Sequence, residues 1–446
     1  MTNLVRTIRQ RDLLYLFVGS VIGSGIFLTP GLILRQVHNS VGLSILVWVV
    51  GGGVLSLLGA LTYAELAAAN PEAGGLYCYI RDGFGAVPAF LYGWCLFLVI
   101  ASGTIAALAR AFAQYLNEIV RLTPLESNIA SIAMIAIVTV VNIWGTRESS
   151  NLQNVTTFIK AGLVFALSTA LLSMGHHGSE LAPAIGTNLH GFSLLSSIGL
   201  AMISVLWAYE GWQFGTYSAG EVVEPERAFP RAFLLGSLLL VALYLIAVIA
   251  YLIALGPQAA ANSDAIAATA AKAVLGEWAG KLIAATILIS VFSATNSVIL
   301  TAPRVFYAMA KDNLFFKTLA KVHPKFHTPA AAIVVLGAWS VILTQTGKFS
   351  ELIGGVIFVG WIFYGLSAAA IFPLRRALNG NTIPYRVPGY PWTPLLFVLA
   401  AAAIVGNAIF RATIDPMAFR HVLAALALVA AGIPAYFFWL WQKKTQ

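Results

Sequence analysis

The stretch "GSVIGSGIFLTPG", Gly19 to Gly31, places four glycines and a proline inside an apolar run. A helix through Gly23-Ser24-Gly25 breaks, which frees carbonyls before the interruption and N–H groups after it. A second stretch, "WAYEGWQFGTYSAG" from Trp207 to Gly220, repeats the pattern and adds Glu210 inside a hydrophobic segment. Lys160 lies in a third apolar segment. The N–H groups of Ser24, Gly25 and Ile26 would open a half-helix at its positive end and suit an anion. The carbonyls near Val21 and near Trp207–Ala208 would accept hydrogen bonds from an ammonium group. A site that takes a carboxylate and an ammonium side by side suits an α-amino acid. The bland alternative for "GSVIG" is a GxxxG face for close helix packing.

These residues need helices to hold them. The chain is 59% hydrophobic and only 10% charged, too apolar for a soluble domain of 446 residues. Apolar runs recur at about 13–36, 42–69, 87–118, 127–145, 153–174, 193–217, 230–255, 276–307, 329–346, 351–373, 393–412 and 418–441, each near the ~20 residues that cross a bilayer. Continuous runs exclude the alternation of a barrel, so an all-α membrane protein with 12 transmembrane helices is expected. Most of the 26 Lys and Arg, including Arg81, Arg304 and Arg375, fall on the side of the N-terminus. Both termini are therefore expected in the cytoplasm, and the net charge of +9 reflects this bias, not nucleic-acid binding. Lys160, near a span end, has snorkelling as its alternative, and Arg110 and Lys281 are read as snorkelling cations.

Interrupted helices that open two successive halves point to a transporter built from inverted repeats. The expected organisation is a first repeat over 1–190, a second over 191–375, and two further helices over 376–446. No nucleophile–base pair, Walker loop or CxxC is present, so no enzymatic role, cofactor or metal is expected. "HPKFH" (323–327) has a metal-like spacing, but Pro324 and the basic loop oppose a site. Cys78 and Cys95 lie away from extracellular loops, which disfavours a disulfide. Glu65 reads as a loop-packing carboxylate, and "MAKDNLFFKTLAKVHPKF" (309–326) as an interfacial helix. The small, apolar "VIASGTIAAL" (99–108) beside Trp207, Tyr209 and Trp212 favours neutral side chains. Glu210 leaves a cationic amino acid or polyamine open, with its side chain in a water-filled vestibule the preferred placement.

Several motifs together resemble the amino acid–polyamine–organocation superfamily and, within it, the L-type amino acid transporter family in a bacterial form. They are "GSVIGSGIFLTPG", "YAELAAANPEAGGLYCYIRDGFG" (63–85), "FIKAGLVFAL" (158–167), "WAYEGW" with "SAGEVVEPERAFPRA" (218–232), and "SATNSVILTAPRVFYAMAKDNLFF" (293–316). The resemblance implies the leucine-transporter fold, with five-plus-five inverted repeats and two C-terminal helices. It implies substrate contacts at Val21, Ser24, Gly25, Ile26, Trp207, Ala208 and Glu210, with Trp207 as the gate. It puts Lys160 where sodium-coupled relatives hold a sodium ion, bridging the first and eighth helices. The implied activity is sodium-independent exchange of neutral L-amino acids across the inner (plasma) membrane, with proton-coupled symport left open. Animal members pair with a heavy chain through a loop cysteine, but "NEIVRLTPLES" (117–127) has none, so a monomer without a disulfide-linked heavy chain is expected.

Overall fold

The computed structural model describes residues 4–345, 349–377 and 383–445. Among these the regular elements are all helical, joined by turns and loops, with one isolated parallel bridge between Ile8 and Val222. The expected all-α class is what is observed. The terminal residues 1–3 and 446 lie outside the described residues.

The first apolar run forms two helices, α1 (Gln10–Val21) and α2 (Gly25–Gln36), bent by 43° at the glycine cluster. α3 (Val41–Ala69) follows, with a π-helical turn over Trp48–Val54 where three glycines thin the helix wall. The short α4 (Leu76–Phe84) leads into α5 (Ala86–Ile119), α6 (Pro124–Trp144) and α7 (Thr146–Met174). The start of α6 is set by a capping box. Glu126 N–H donates to Thr123 Oγ1 at 3.3 Å, and Thr123 N–H donates back to the Glu126 carboxylate at 2.7 Å.

The second half begins with α8 (Gly191–Ala208), which stops at the second interruption. A tight turn and a 3₁₀ segment, Phe214–Glu221, replace the helix there. Then come α9 (Pro225–Ala261), α10 (Ile266–Leu275), α11 (Trp278–Lys311), α12 (Ala330–Thr344), α13 (Phe349–Ala369), α14 (Ile371–Ala377), α15 (Trp392–Ala412) and α16 (Pro416–Thr445).

Each of the twelve apolar runs carries helix among the described residues, though 193–217 is interrupted after Ala208 and not all have membrane length. Among the described residues 9 helices are long and apolar enough to cross, and the bent α1–α2 pair would make 10. Ser193–Ala208 and Ala330–Thr344 are apolar but shorter. α8 falls short because its span is cut at the break.

The broken helices occupy the middle of the molecule. α1 packs on α7, α9 and α11, and α2 packs on α8 and α9. α15 and α16 flank this core against α3, α13 and α5.

The basic face is tied by ion pairs. Glu65 is buried and accepts from Arg375 Nε at 2.6 Å, Arg375 Nη2 at 2.5 Å and Val387 N–H at 2.5 Å, which fastens the segment after α14 onto α3. This is the loop-packing role expected of Glu65. The segment 309–326 differs from the interfacial helix expected of it. α11 ends at Lys311, Asn313 turns into the left-handed region at φ 59, and only Lys317–Ala320 forms a 3₁₀ turn. Phe315 is buried, whereas Phe316 stays exposed on the surface. Phe315 meets Phe97 at 5.9 Å, and Phe316 meets Trp439 at 4.8 Å.

Candidate functional site

The last carbonyls of α1 have no intrahelical partner, and other helices supply donors. Lys160 Nζ, carried by α7, donates to Gly19 O and Ile22 O at 2.6 Å each, and lies 3.5 Å from Ser290 O. Ser290 Oγ, carried by α11, donates to Ile22 O at 2.9 Å and Gly23 O at 3.0 Å. Lys160 is fully buried, so its head does not snorkel to the surface. A cation at a helix C-terminus is also favoured by the helix dipole. The ammonium thus fastens the end of α1 to α7 beside α11.

Val21 was expected to offer its carbonyl to a substrate ammonium. That oxygen already accepts from Gly23 N–H at 2.7 Å and Tyr244 OH at 3.0 Å. Ser20 Oγ donates across to Gly211 O at 2.9 Å and joins the two interruptions. Gly211 has φ +118, a backbone conformation reached freely only by glycine.

Gly25 owes its type to contact between the breaks. A Cβ there would lie 2.4 Å from Ala208 Cα, so α2 begins directly against the end of α8. A close substrate approach is not needed to explain the glycine. Gly25→Ala should therefore lower stability by ~1–3 kcal/mol through overpacking and reduce transport with it. Unchanged thermal melting together with unchanged uptake would contradict this.

The interruptions enclose a cavity of ≈ 20 Å³, room for about one water molecule. Ser20, Val21, Gly23, Ser24 and Gly25 line one side, and Trp207, Glu210 and Phe214 another. α5 contributes Thr104 and Leu108, and α11 contributes Ala294 and Val298. Of the expected contacts, Val21, Ser24, Gly25, Trp207 and Glu210 meet at this cavity. Ile26 and Ala208 are buried beside it, and Lys160 sits behind the α1 break. Ser24 Oγ is buried with no hydrogen-bond partner among the described residues. A polar atom left so beside a cavity is placed to meet a ligand.

The Glu210 carboxylate is not in an open vestibule. Only 8% of the residue is exposed, and Oε1 accepts from Tyr364 OH at 2.6 Å and Gln213 Nε2 at 2.7 Å. Tyr364 comes from α13 and was missed in the sequence. The available signal was a tyrosine deep in an apolar run, whose hydroxyl must find a partner at membrane depth.

Below the cavity, Arg304 and Glu221 form a buried ion pair, Nε to Oε2 at 2.6 Å. Thr146 Oγ1 accepts from Arg304 Nη2 at 2.8 Å and donates to Glu221 Oε1 at 2.8 Å. Arg304 Nη1 also donates to Leu300 O. Arg304, counted from the sequence among the cations on the side of the N-terminus, is therefore an interior group. On the same face Arg81 pairs with Glu72 at 2.7 Å, Asp82 at 2.8 Å and Asp312 at 3.1 Å; burial works against its charge, but the hydrogen bonds to Asp82 and Glu72 outweigh it and hold the proton more tightly. Cys78 and Cys95 are both buried free thiols. Among the described residues, no group of three His, Cys, Asp or Glu could hold a metal ion.

Comparison with known proteins places this architecture. Residues 8–441 match the family described as amino acid permease. The chain is 30% identical over 430 residues to the serine/threonine exchanger SteT of Bacillus subtilis (strain 168), covering 95% of this chain and 94% of that protein. It is 30% identical to the large neutral amino acids transporter small subunit 2 of Rattus norvegicus, covering 96% of this chain and 80% of that protein. It is 28% identical to the cystine/glutamate transporter of Homo sapiens, covering 96% of this chain and 84% of that protein. With two interrupted helices facing one central cavity and a match that runs almost end to end, this multi-pass membrane protein belongs to the amino acid permease family of the amino acid–polyamine–organocation superfamily.

Proposed function

We propose that the protein is a secondary transporter that exchanges neutral L-amino acids without sodium, and that it carries its substrate unchanged. The observation that carries this reading is the pair of facing breaks, with Lys160 filling the cation position behind the first. The N–H groups that open α2 would receive the carboxylate, helped by the unpartnered Ser24 hydroxyl. The ammonium would be met at the end of α8, around Trp207 and Ala208, with Trp207 closing over the substrate. Val21 takes part through the turn that it stabilises, since its oxygen is already engaged. Ile26 completes the first turn of α2.

The closed cavity is smaller than any amino acid, so binding requires α1–α2 or α8 to move. Five-plus-five repeats of the leucine-transporter type, over 1–190 and 191–375 with two further helices over 376–446, give those motions a two-fold logic. In this reading all twelve apolar runs span the inner (plasma) membrane. The basic face that holds Arg81 and Arg304 is cytoplasmic, and so are both termini. The chain works as a monomer in the lipid bilayer, with amino acids as its partners and no disulfide-linked heavy chain. Two of the relatives' names, a serine/threonine exchanger and a large neutral amino acids transporter, agree with a neutral substrate, while the name of the cystine/glutamate transporter includes an acidic one.

Counterflow in proteoliposomes tests this. Vesicles preloaded with serine should accumulate labelled serine, alanine or leucine equally well in sodium and in choline buffer. A strict sodium requirement, or no dependence on internal amino acid, would overturn exchange. Glu210 favours one second reading, a cationic substrate, because its carboxylate lines the cavity. Strong competition by arginine, with none from alanine, serine or leucine, would select that reading instead.

A further inference from the structure

A second cavity lies apart from the central one and shares no lining residue with it. It holds ≈ 230 Å³ between α8, α13, α15 and α16, with Ile203, Phe358, Ile404 and Ala408 among its walls. Its rim carries Arg411 and His421. These lie where α15 ends and α16 begins, the level at which a membrane hairpin meets the headgroups. The counter-charge there is weak. Asp415 lies 4.0 Å from Arg411, at the limit of an ion pair, and its side chain is 42% exposed. Arg420 adds a further exposed cation on the same turn. Beyond the rim the surface is apolar. Ile409, Phe410, Ile414, Met417 and Phe419 are all exposed, as lipid-facing residues are.

We propose that this groove binds one anionic phospholipid, with an acyl chain between α8 and α15 and the phosphate on Arg411 and His421. A bilayer supplies such a ligand at this depth, and the apolar walls with a cationic rim match its two halves. Near the groove α8 and α15 touch directly, where a Cβ at Gly199 would lie 2.6 Å from the Asn407 side chain. The site also touches the moving parts. Ile203 is on the helix that ends at Ala208, and Phe358 is on the helix that carries Tyr364, the partner of Glu210. A seated lipid therefore braces α8 against α13, and this second consequence rests on the transport reading above.

Native mass spectrometry of the purified protein in mild detergent tests binding without any substrate. Phosphatidylglycerol and phosphatidylcholine of matched chains are added separately. A phosphatidylglycerol adduct should persist after phosphatidylcholine is lost. Arg411→Gln should weaken it about fivefold, as expected for one basic contact at a headgroup. Ala408→Trp, which fills the groove and spares Arg411 and His421, should remove it, whereas Arg121→Gln, a control elsewhere on the protein, should not. Equal retention of the two lipids, an adduct indifferent to both groove variants, or a dimer that excludes lipid would each overturn the proposal. Counterflow then separates the readings. Loss of the adduct in Ala408→Trp with transport unchanged would sink the brace and leave the binding site standing.

Discussion

Lys160→Ala is expected to abolish exchange while the protein still reaches the membrane. The ammonium is the donor at 2.6 Å for both Gly19 O and Ile22 O, and Ser290 replaces it only at Ile22. An unsatisfied buried carbonyl costs ~1–3 kcal/mol, so losing the lysine weakens the closed arrangement by about 3 kcal/mol, and the competent population falls roughly 100-fold. Lys160→Met keeps the apolar stem and removes the charge, and it should fail alike, which separates the ion from its packing. Initial counterflow rates in proteoliposomes, normalised to inserted protein, provide the measurement. Exchange by Lys160→Ala at more than half the wild-type rate would refute this role.

Arg304→Ala is expected to give the largest loss of stability. The guanidinium is fully buried, and Glu221 would keep only Thr146 as a side-chain donor. Breaking a buried pair on one side costs ~3–5 kcal/mol because the remaining charge is stranded. Arg304→Met combined with Glu221→Gln should recover much of that loss, so the double change costs less than the sum of the singles. Thermal melting of the detergent-solubilised protein provides the measure. Additive losses would mean that the two groups do not act as a pair. The ion pair also joins the end of the second broken span to α11 and, through Thr146, to the start of α7. The single variants should therefore shift the balance between closed and cytoplasm-open forms as well as melting.

The two interruptions were readable because glycine clusters are rare inside runs otherwise fit for a membrane helix. Lys160 and Glu210 were readable because a charge in such a run is conspicuous. Their surroundings were not. Gly25 meets Ala208 only after the two broken spans come together, and no local pattern foretells that contact. Tyr364 and Tyr244 each reach a break across helices far away in sequence. Arg304 was legible only as one more cation near a span end, because the 3₁₀ segment that brings Glu221 to it has no periodic signature. The segment 309–326 has the composition of an interfacial helix, but a single left-handed residue, Asn313, turns it aside. The shortness of α8 follows from the break itself, which splits a run that reads as one span.

The smallness of the central cavity has an electrical meaning. At ≈ 20 Å³ it has room for about one water and no continuous file of water, and the Arg304–Glu221 pair is itself buried. One elementary charge falling through 100 mV releases ~2.3 kcal/mol, so any open path at membrane depth would short the cell's stored voltage. In this conformation the protein is a dielectric plug. A cavity this small offers ions no file of water to follow between strokes.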